Sequence, residues 1–222
     1  MRKTCLLAAI VVACLLIAAS VFATETTGIS ADEAKAKLIE GNQRFVTEKY
    51  ANTNVDVERR SELTKGQHPF AVIVSCSDSR VPPEIVFDQG LGDLFVIRTA
   101  GDTIDDIAIG SVEYAVEHLG VQLVVVLGHE KCGAVTAAAT LDDSHGHQPS
   151  YIDAVVKALQ PAVDKAKTQK GDLIANAIDD NVDLVVDQLR SAGPILSDFT
   201  KKGNIKIIGA VYDLDDGVVS FR

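Results

Sequence analysis

Two short segments hold residues whose types and spacing suit metal chemistry: Cys76-Ser77-Asp78-Ser79-Arg80 and Gly128-His129-Glu130-Lys131-Cys132-Gly133. Each follows an apolar run, so each lies where a strand gives way to a turn. Two thiolates and one imidazole form a Cys₂His set that holds zinc with its fourth position free for chemistry. The spacing of His129 and Cys132 lets one turn deliver two ligands, and Cys76 brings the third from another strand. Zinc in such a set lowers the pKa of a bound water from 15.7 to about 7, which yields a hydroxide nucleophile at neutral pH. It takes sulfur deprotonated and imidazole neutral. Cys132 precedes a helix, whose partly positive amino end favours its thiolate.

Asp78 and Arg80 follow Cys76 closely. An aspartate there is a fourth metal ligand, a hydrogen-bond partner of the nucleophile, or a general base; the arginine keeps it ionised and orients it. Two competing readings stand beside these. Asp78 and Arg80 could be a solvated surface ion pair, worth under about 1 kcal/mol. Cys76 and Cys132 could be a disulfide, which an oxidising compartment favours.

The elements that must position these residues follow from periodicity and punctuation. Ser30-Ala31-Asp32-Glu33 is a capping box opening a helix with Ala34, Leu38 and Phe45 on its apolar side. Residues 51–67 are polar and read as irregular. Residues 70–75 and, more briefly, 94–97 are continuous apolar runs, as in strands buried on both faces, 122–128 is the strongest strand and 205–211 a further buried one. Helices are predicted over 104–119 (Ile104, Ile107, Ala108, Ser111, Ala115 and Leu119 inward), 133–141, from Ser150 with a break near Pro161, and 172–190. Residues 142–149 read as a polar loop and 217–221 as an antiparallel edge partner. Strands alternating with helices imply an α/β fold, a mostly parallel central sheet covered on both faces. Sites in such sheets form beyond the strands' carboxyl ends, where strand order reverses. Cys76 and His129 both fall there.

Residues 1–23 have the build of a signal peptide: Arg2 and Lys3, then an apolar stretch, then Val21-Phe22-Ala23 before a cut at Thr24. A lipoprotein-type site at Cys14 and an uncleaved anchor are the alternatives. Export to the periplasm or medium is therefore expected, with residues 24–222 as one domain: a helical arm (24–68) and an α/β core (69–222). The chain has 21 Lys and Arg against 31 Asp and Glu, a net charge of −10 that becomes −12 without Arg2 and Lys3. That balance disfavours nucleic acid and anionic membranes and leaves a small-molecule substrate.

The segments together resemble the beta-class carbonic anhydrases over nearly the whole mature chain. The likeness rests on Cys76 to Val81, on Gly92-Asp93-Leu94-Phe95-Val96-Ile97-Arg98 followed by Ala100-Gly101, and on Glu113 to Gly120. Gly128-His129 with Cys132-Gly133, Gly209 to Asp213 and the early Glu40 to Phe45 complete it. The resemblance implies one zinc on Cys76, His129 and Cys132, with Asp78 and Arg80 as a catalytic dyad and Asp78 as a fourth ligand in closed forms. It implies reversible hydration of CO₂ to bicarbonate and a proton, and homodimers or homotetramers. The family often has asparagine where this chain has Thr99 and Asp102, which leaves pocket polarity open. Absence of tryptophan points to the subgroup with an open fourth position. A hydrolase of carbonyl sulfide or carbon disulfide on the same centre, and a silent binding module, are the rival functions. His68, His118, His145, His147, Tyr114 and the Asp213, Asp215, Asp216 turn are assigned no role.

Overall fold

In the computed structural model, residues 28–140 and 150–222 are described. The leader and the whole 142–149 loop, with His145 and His147, lie outside the described residues. Five strands form one sheet: β1 (Ala71–Cys76), β2 (Leu94–Thr99), β3 (Leu123–His129), β4 (Lys206–Tyr212) and β5 (Val219–Phe221), in the order β2-β1-β3-β4-β5. All pairings are parallel except β4 with β5, as the mostly parallel sheet with an antiparallel edge required. Side chains alternate between two apolar layers. Ala71, Ile73, Val125 and Leu127 pack with Leu38 and Phe87 on one face. Val72, Val74, Val124 and Val126 pack with Val112, Val182 and Leu189 on the other. Each such fully buried aliphatic side chain contributes about 1.5–3 kcal/mol.

The helices are α1 (Ala31–Val46), α2 (Val57–Leu63), α3 (Pro83–Val86), α4 (Asp106–His118), α5 (Gly133–Thr140), α6 (Ile152–Ala166), α7 (Leu173–Ser191) and α8 (Ile195–Lys201). The capping box at Ser30 is present: Ser30 Oγ accepts from Glu33 N, and Glu33 reaches back to Ser30 N at 2.9 Å. None of the described helices is long and apolar enough to cross a membrane.

Four expectations are corrected. The stretch expected to be irregular contains α2, which buries no residue and is started by Asp56 accepting from Arg59 N at 2.8 Å; hydrophobic periodicity has nothing to report there. Ile107 is 80 % exposed, because the inward stripe of α4 runs through Ala108, Val112, Ala115 and Val116. Pro161 does not break α6, which continues to Ala166. Leu159, Ala162, Val163 and Ala166 are all buried along that helix, and tertiary packing outweighs the lost backbone bond. After the Gly193-Pro194 stop the chain makes a further helix, α8, that sequence pattern did not indicate.

Asn42 fastens the arm to the core. Its Nδ2 donates to the carbonyls of Val86 and Gly217 at 3.1 and 2.8 Å, and its Oδ1 accepts from Val219 N at 2.9 Å. Asn42→Ala would leave these buried groups unpaired and should lower unfolding stability by about 2–4 kcal/mol. Urea unfolding measures it, and a loss below about 0.5 kcal/mol would show that the anchor contributes nothing.

Candidate metal centre

β1 and β3 are neighbours whose connections leave in opposite directions, toward β2 on one side and β4 on the other. Their carboxyl ends carry Cys76 and His129, so both ligands face the crevice at the switch point. The third arrives by a tight turn. Lys131 has φ 53°, a left-handed conformation that reverses the chain at once after β3 and sets Cys132 at the start of α5. The ligand atoms of Cys76, His129 and Cys132 all lie within 4.8 Å of one another, and all three residues are buried. Both thiols are free, so no disulfide joins them.

The imidazole is held in one tautomer. His129 Nδ1 lies 2.8 Å from the carbonyl oxygen of Glu130, and a carbonyl can only accept, so Nδ1 carries the proton. Nε2 is then a bare lone pair in the neutral ring, and it is buried with no hydrogen-bond partner. A buried imidazole lone pair facing two thiols offers three soft donors at one point, the arrangement that an electron-poor ion completes. The donor set and its orientation fit zinc, with the backbone carbonyl fixing the ring from behind as metal-bound histidines require.

Without the ion, the charge divides unequally between the sulfurs. Cys76 is lowered to about 4, first because the Cys132 thiol donates to it, with burial opposing and His129 and the Gly101 N–H adding to the effect. Cys132 is pushed up by the same bond and by burial, despite the Val135 N–H at its helix start. The two sulfurs share one hydrogen bond, which favours the anion on one of them at the expense of the other. Burial pulls the His129 pKa down, but the Cys76 anion and the Glu130 carbonyl outweigh it and the net direction is up.

Asp78 points from the turn after β1 toward this cluster, its Oδ2 3.8 Å from His129 Nε2. Both carboxylate oxygens are engaged by Arg80: Oδ1 accepts from its backbone N and Nε at 2.9 Å each, and Oδ2 from Nη2 at 2.7 Å. Those bonds, chiefly the side-chain one, hold Asp78 far below the usual carboxylate range. Arg80 also reaches the Lys131 carbonyl at 3.3 Å, tying the two ligand loops together. The pair is therefore part of the site and not a stray surface contact.

Three contributors escaped the sequence. Arg98 on β2 donates to the carbonyls of Cys76 and Asp78 at 2.9 and 2.5 Å, which fixes the loop between them. Gly101 N donates to Cys76 Sγ at 3.3 Å. Asn181 of α7 bonds to the Asp102 carboxylate at 2.8 Å. Asn181 sits on the stripe that also carries Ile178 and Val185, and a polar residue among apolar inward positions was the available signal. Asp102 is buried, and that burial, with the Cys76 charge, raises its pKa to about 7. His68 and His118 are exposed and remote from the ligands, and Tyr114 lies against Phe95 and His118. Asp213 and Asp215 lie near Glu130, and Asp215 pairs with Lys131 at the hairpin turn.

Residues 71–219 match the family model described as carbonic anhydrase. The chain is 42 % identical over 185 residues to carbonic anhydrase 2 of Mycobacterium tuberculosis, covering 83 % of this chain and 89 % of that protein. It is 40 % identical over 186 residues to the carbonic anhydrase of Mycolicibacterium smegmatis, covering 83 % and 90 %. The solved beta-carbonic anhydrase CcaA superposes with a TM-score of 0.66 at 29 % identity, covering 84 % of this chain and 94 % of that one. With the strand order, the crevice and the buried Cys₂His cluster already in place, these likenesses have one meaning: the chain belongs to the carbonic anhydrase family, on the beta-class fold.

Proposed function

We propose that this protein catalyses reversible hydration of carbon dioxide to bicarbonate and a proton, with zinc as its resident metal. The observation that carries this reading is the orphaned His129 Nε2, buried between two free thiols beside the ionised Asp78–Arg80 pair. Cys76, His129 and Cys132 would hold the ion. Zinc bound there supplies a Lewis acid that brings the pKa of water to about 7.

The chain's own groups do the positioning. Asp78, ionised at any working pH, can accept a hydrogen bond but cannot donate one. It orients the attacking water by accepting one of its O–H bonds, which turns an oxygen lone pair toward the substrate carbon. The same low pKa bars Asp78 from keeping the proton that the reaction releases, so that proton passes to buffer. Arg80 locks the carboxylate in place and keeps both its oxygens from the metal ligands. Carbon dioxide is the substrate indicated, since the similar proteins are named carbonic anhydrases.

Export and self-association complete the proposal. The leader composition of residues 1–23 supports export with cleavage before Thr24. Strand β2 ends the sheet, and exposed Ile107 and Tyr114 lie on the adjoining helix, an apolar edge suited to a second copy of the chain. Native mass spectrometry of the exported protein should show subunits beginning at Thr24 assembled as dimers or tetramers. Full-length monomers would reject both statements.

Two variants separate ligand from dyad. Cys76→Ser should lose most zinc and with it the hydration rate. Asp78→Ala should keep its zinc while kcat/KM falls about 10²-fold or more. Metal analysis and stopped-flow hydration on the same samples decide the matter: full zinc in the first, or an unchanged rate in the second, removes that residue from its role.

The dyad also sets a pH dependence. A depressed folded-state pKa adds stability that is present above the unfolded value of 3.8 and is lost as pH falls through the folded one. The gap in urea-unfolding midpoint between wild type and Arg80→Ala should hold steady from neutral pH to about 5 and narrow below about 4. A gap that widens on acidification would mean that Arg80 does not hold the Asp78 charge.

A further inference from the structure

The turn Ala100–Asp102 that follows β2 is strained and buried, and it touches the metal centre through one atom. Gly101 and Asp102 take φ 69° and 47°, two successive residues in the left-handed region. Such conformations persist only where the surroundings impose them. A side chain at Gly101 is disfavoured, since φ is positive and a Cβ would stand 2.9 Å from Leu159 Cδ1 and 3.1 Å from Ala134 Cβ. What imposes the turn is Asn181, whose Nδ2 donates to the Gly101 carbonyl at 3.0 Å and to Asp102 Oδ2 at 2.8 Å. The Asp102 and Asn181 side chains are 79 residues apart in the chain and almost wholly buried. The other end of the same Gly101 residue, its N–H, points at Cys76 Sγ.

We propose that Asp102 and Asn181 are positioning residues for the metal centre: together they hold the Gly101 peptide so that its N–H donates to the Cys76 sulfur. The donated bond withdraws charge from the sulfur and fixes its direction before any ion arrives. A buried carboxylate bonded to a buried amide would otherwise cost stability without return. Both side chains are buried and bonded to each other, and their hydrogen-bonded link to the centre runs through the Gly101 N–H to Cys76. The inference rests on the zinc reading of Cys76, His129 and Cys132.

The test compares Asn181→Leu, which removes the donor at similar volume, with Asp102→Ala, Asp102→Asn and a control, Val185→Ala, which opens the same helix face away from the turn. Two readouts besides activity are taken on the full chain. Chelator competition gives the zinc dissociation constant, and cobalt substitution gives the sulfur-to-metal charge-transfer band. Asn181→Leu and Asp102→Ala should weaken zinc about 10- to 100-fold and move the cobalt band to longer wavelength, because a sulfur without its hydrogen bond is the better electron donor. Asp102→Asn, whose amide oxygen still accepts from Asn181, should restore both. Val185→Ala should lower stability and leave both readouts at wild-type values. Should Asn181→Leu fail to fold, Asp102→Ala against Asp102→Asn makes the same comparison. Wild-type affinity and an unmoved band in Asn181→Leu or Asp102→Ala would overturn this inference alone. A wild-type protein that binds neither ion would overturn the zinc reading and this inference with it.

Discussion

The site depends on a gap that the sheet cannot close. β1 and β3 lie side by side and run in the same direction, but one connects to the left edge and the other to the right. No connecting segment crosses between their carboxyl ends, so a crevice opens there for topological reasons alone. Cys76 and His129 are the residues that the two strands place at its floor. Register does the remaining alignment: Val72 to Ser75 of β1 pair with Val124 to Leu127 of β3, which leaves both ligands just past the last paired rung. Gly128 lets α7 lie directly on β3, since a Cβ there would stand 2.5 Å from Val182 Cγ2. That close approach is also what brings Asn181, the neighbour of Val182, within reach of the Gly101 turn.

Charge is the second constraint. Burying two cysteines and a histidine together creates an acidic centre in a low-dielectric setting, where every added negative charge is expensive. The chain answers with arginines aimed at the loops and with the Gly101 amide aimed at the Cys76 sulfur. Arg98 and Arg80 both bond to backbone carbonyls of the ligand segments. Arg80 also takes the Asp78 carboxylate, whose second oxygen otherwise faces His129 at 3.8 Å. With Asp78 turned to its arginine, the carboxylate remains near the centre as a charged acceptor. One ion pair thus decides both that Asp78 stays charged and where it points.

Much of this was legible from residues. The two central strands, β1 and β3, announced themselves as apolar runs because a parallel sheet buries both their faces, and the ligands stood at their ends with polar neighbours. Where the pattern misled, local physics explains it. On α4 the inward stripe is made of small and β-branched residues, so the larger Ile107 looked like core but stands in the first helical turn facing out. Pro161 signalled a break, yet one lost amide bond weighs little against four buried side chains on the same helix. The short helices α2 and α8 bury one residue between them, Leu196, and carry almost no periodic signal. The Asp102–Asn181 contact was beyond reach because it joins a strained turn to a helix across most of the chain, and only the tertiary fold brings them together.

Thr99 and Asp102 show how that fold changes the meaning of a substitution. Standing where the resembling family often carries asparagine, and bordering the site, they left the polarity of the pocket open. In the folded chain neither spends its polar atoms on the pocket. Thr99 Oγ1 donates to the Thr103 carbonyl at 2.5 Å, closing the base of the turn, and the Asp102 carboxylate accepts from Asn181 at its far side. Both residues serve the loop that supplies the Gly101 N–H to Cys76. The departures therefore alter how the scaffold is braced, and at Asp102 they also place an ionisable group near Cys76. A carboxylate suffices where an amide is common because the position needs an acceptor for Asn181, and Asp and Asn both provide one. Burial raises the Asp102 pKa while the cost of a full negative charge beside Cys76 grows. An amide would keep the bond without that cost, so the carboxylate is the more expensive of the two acceptors for Asn181 at this position.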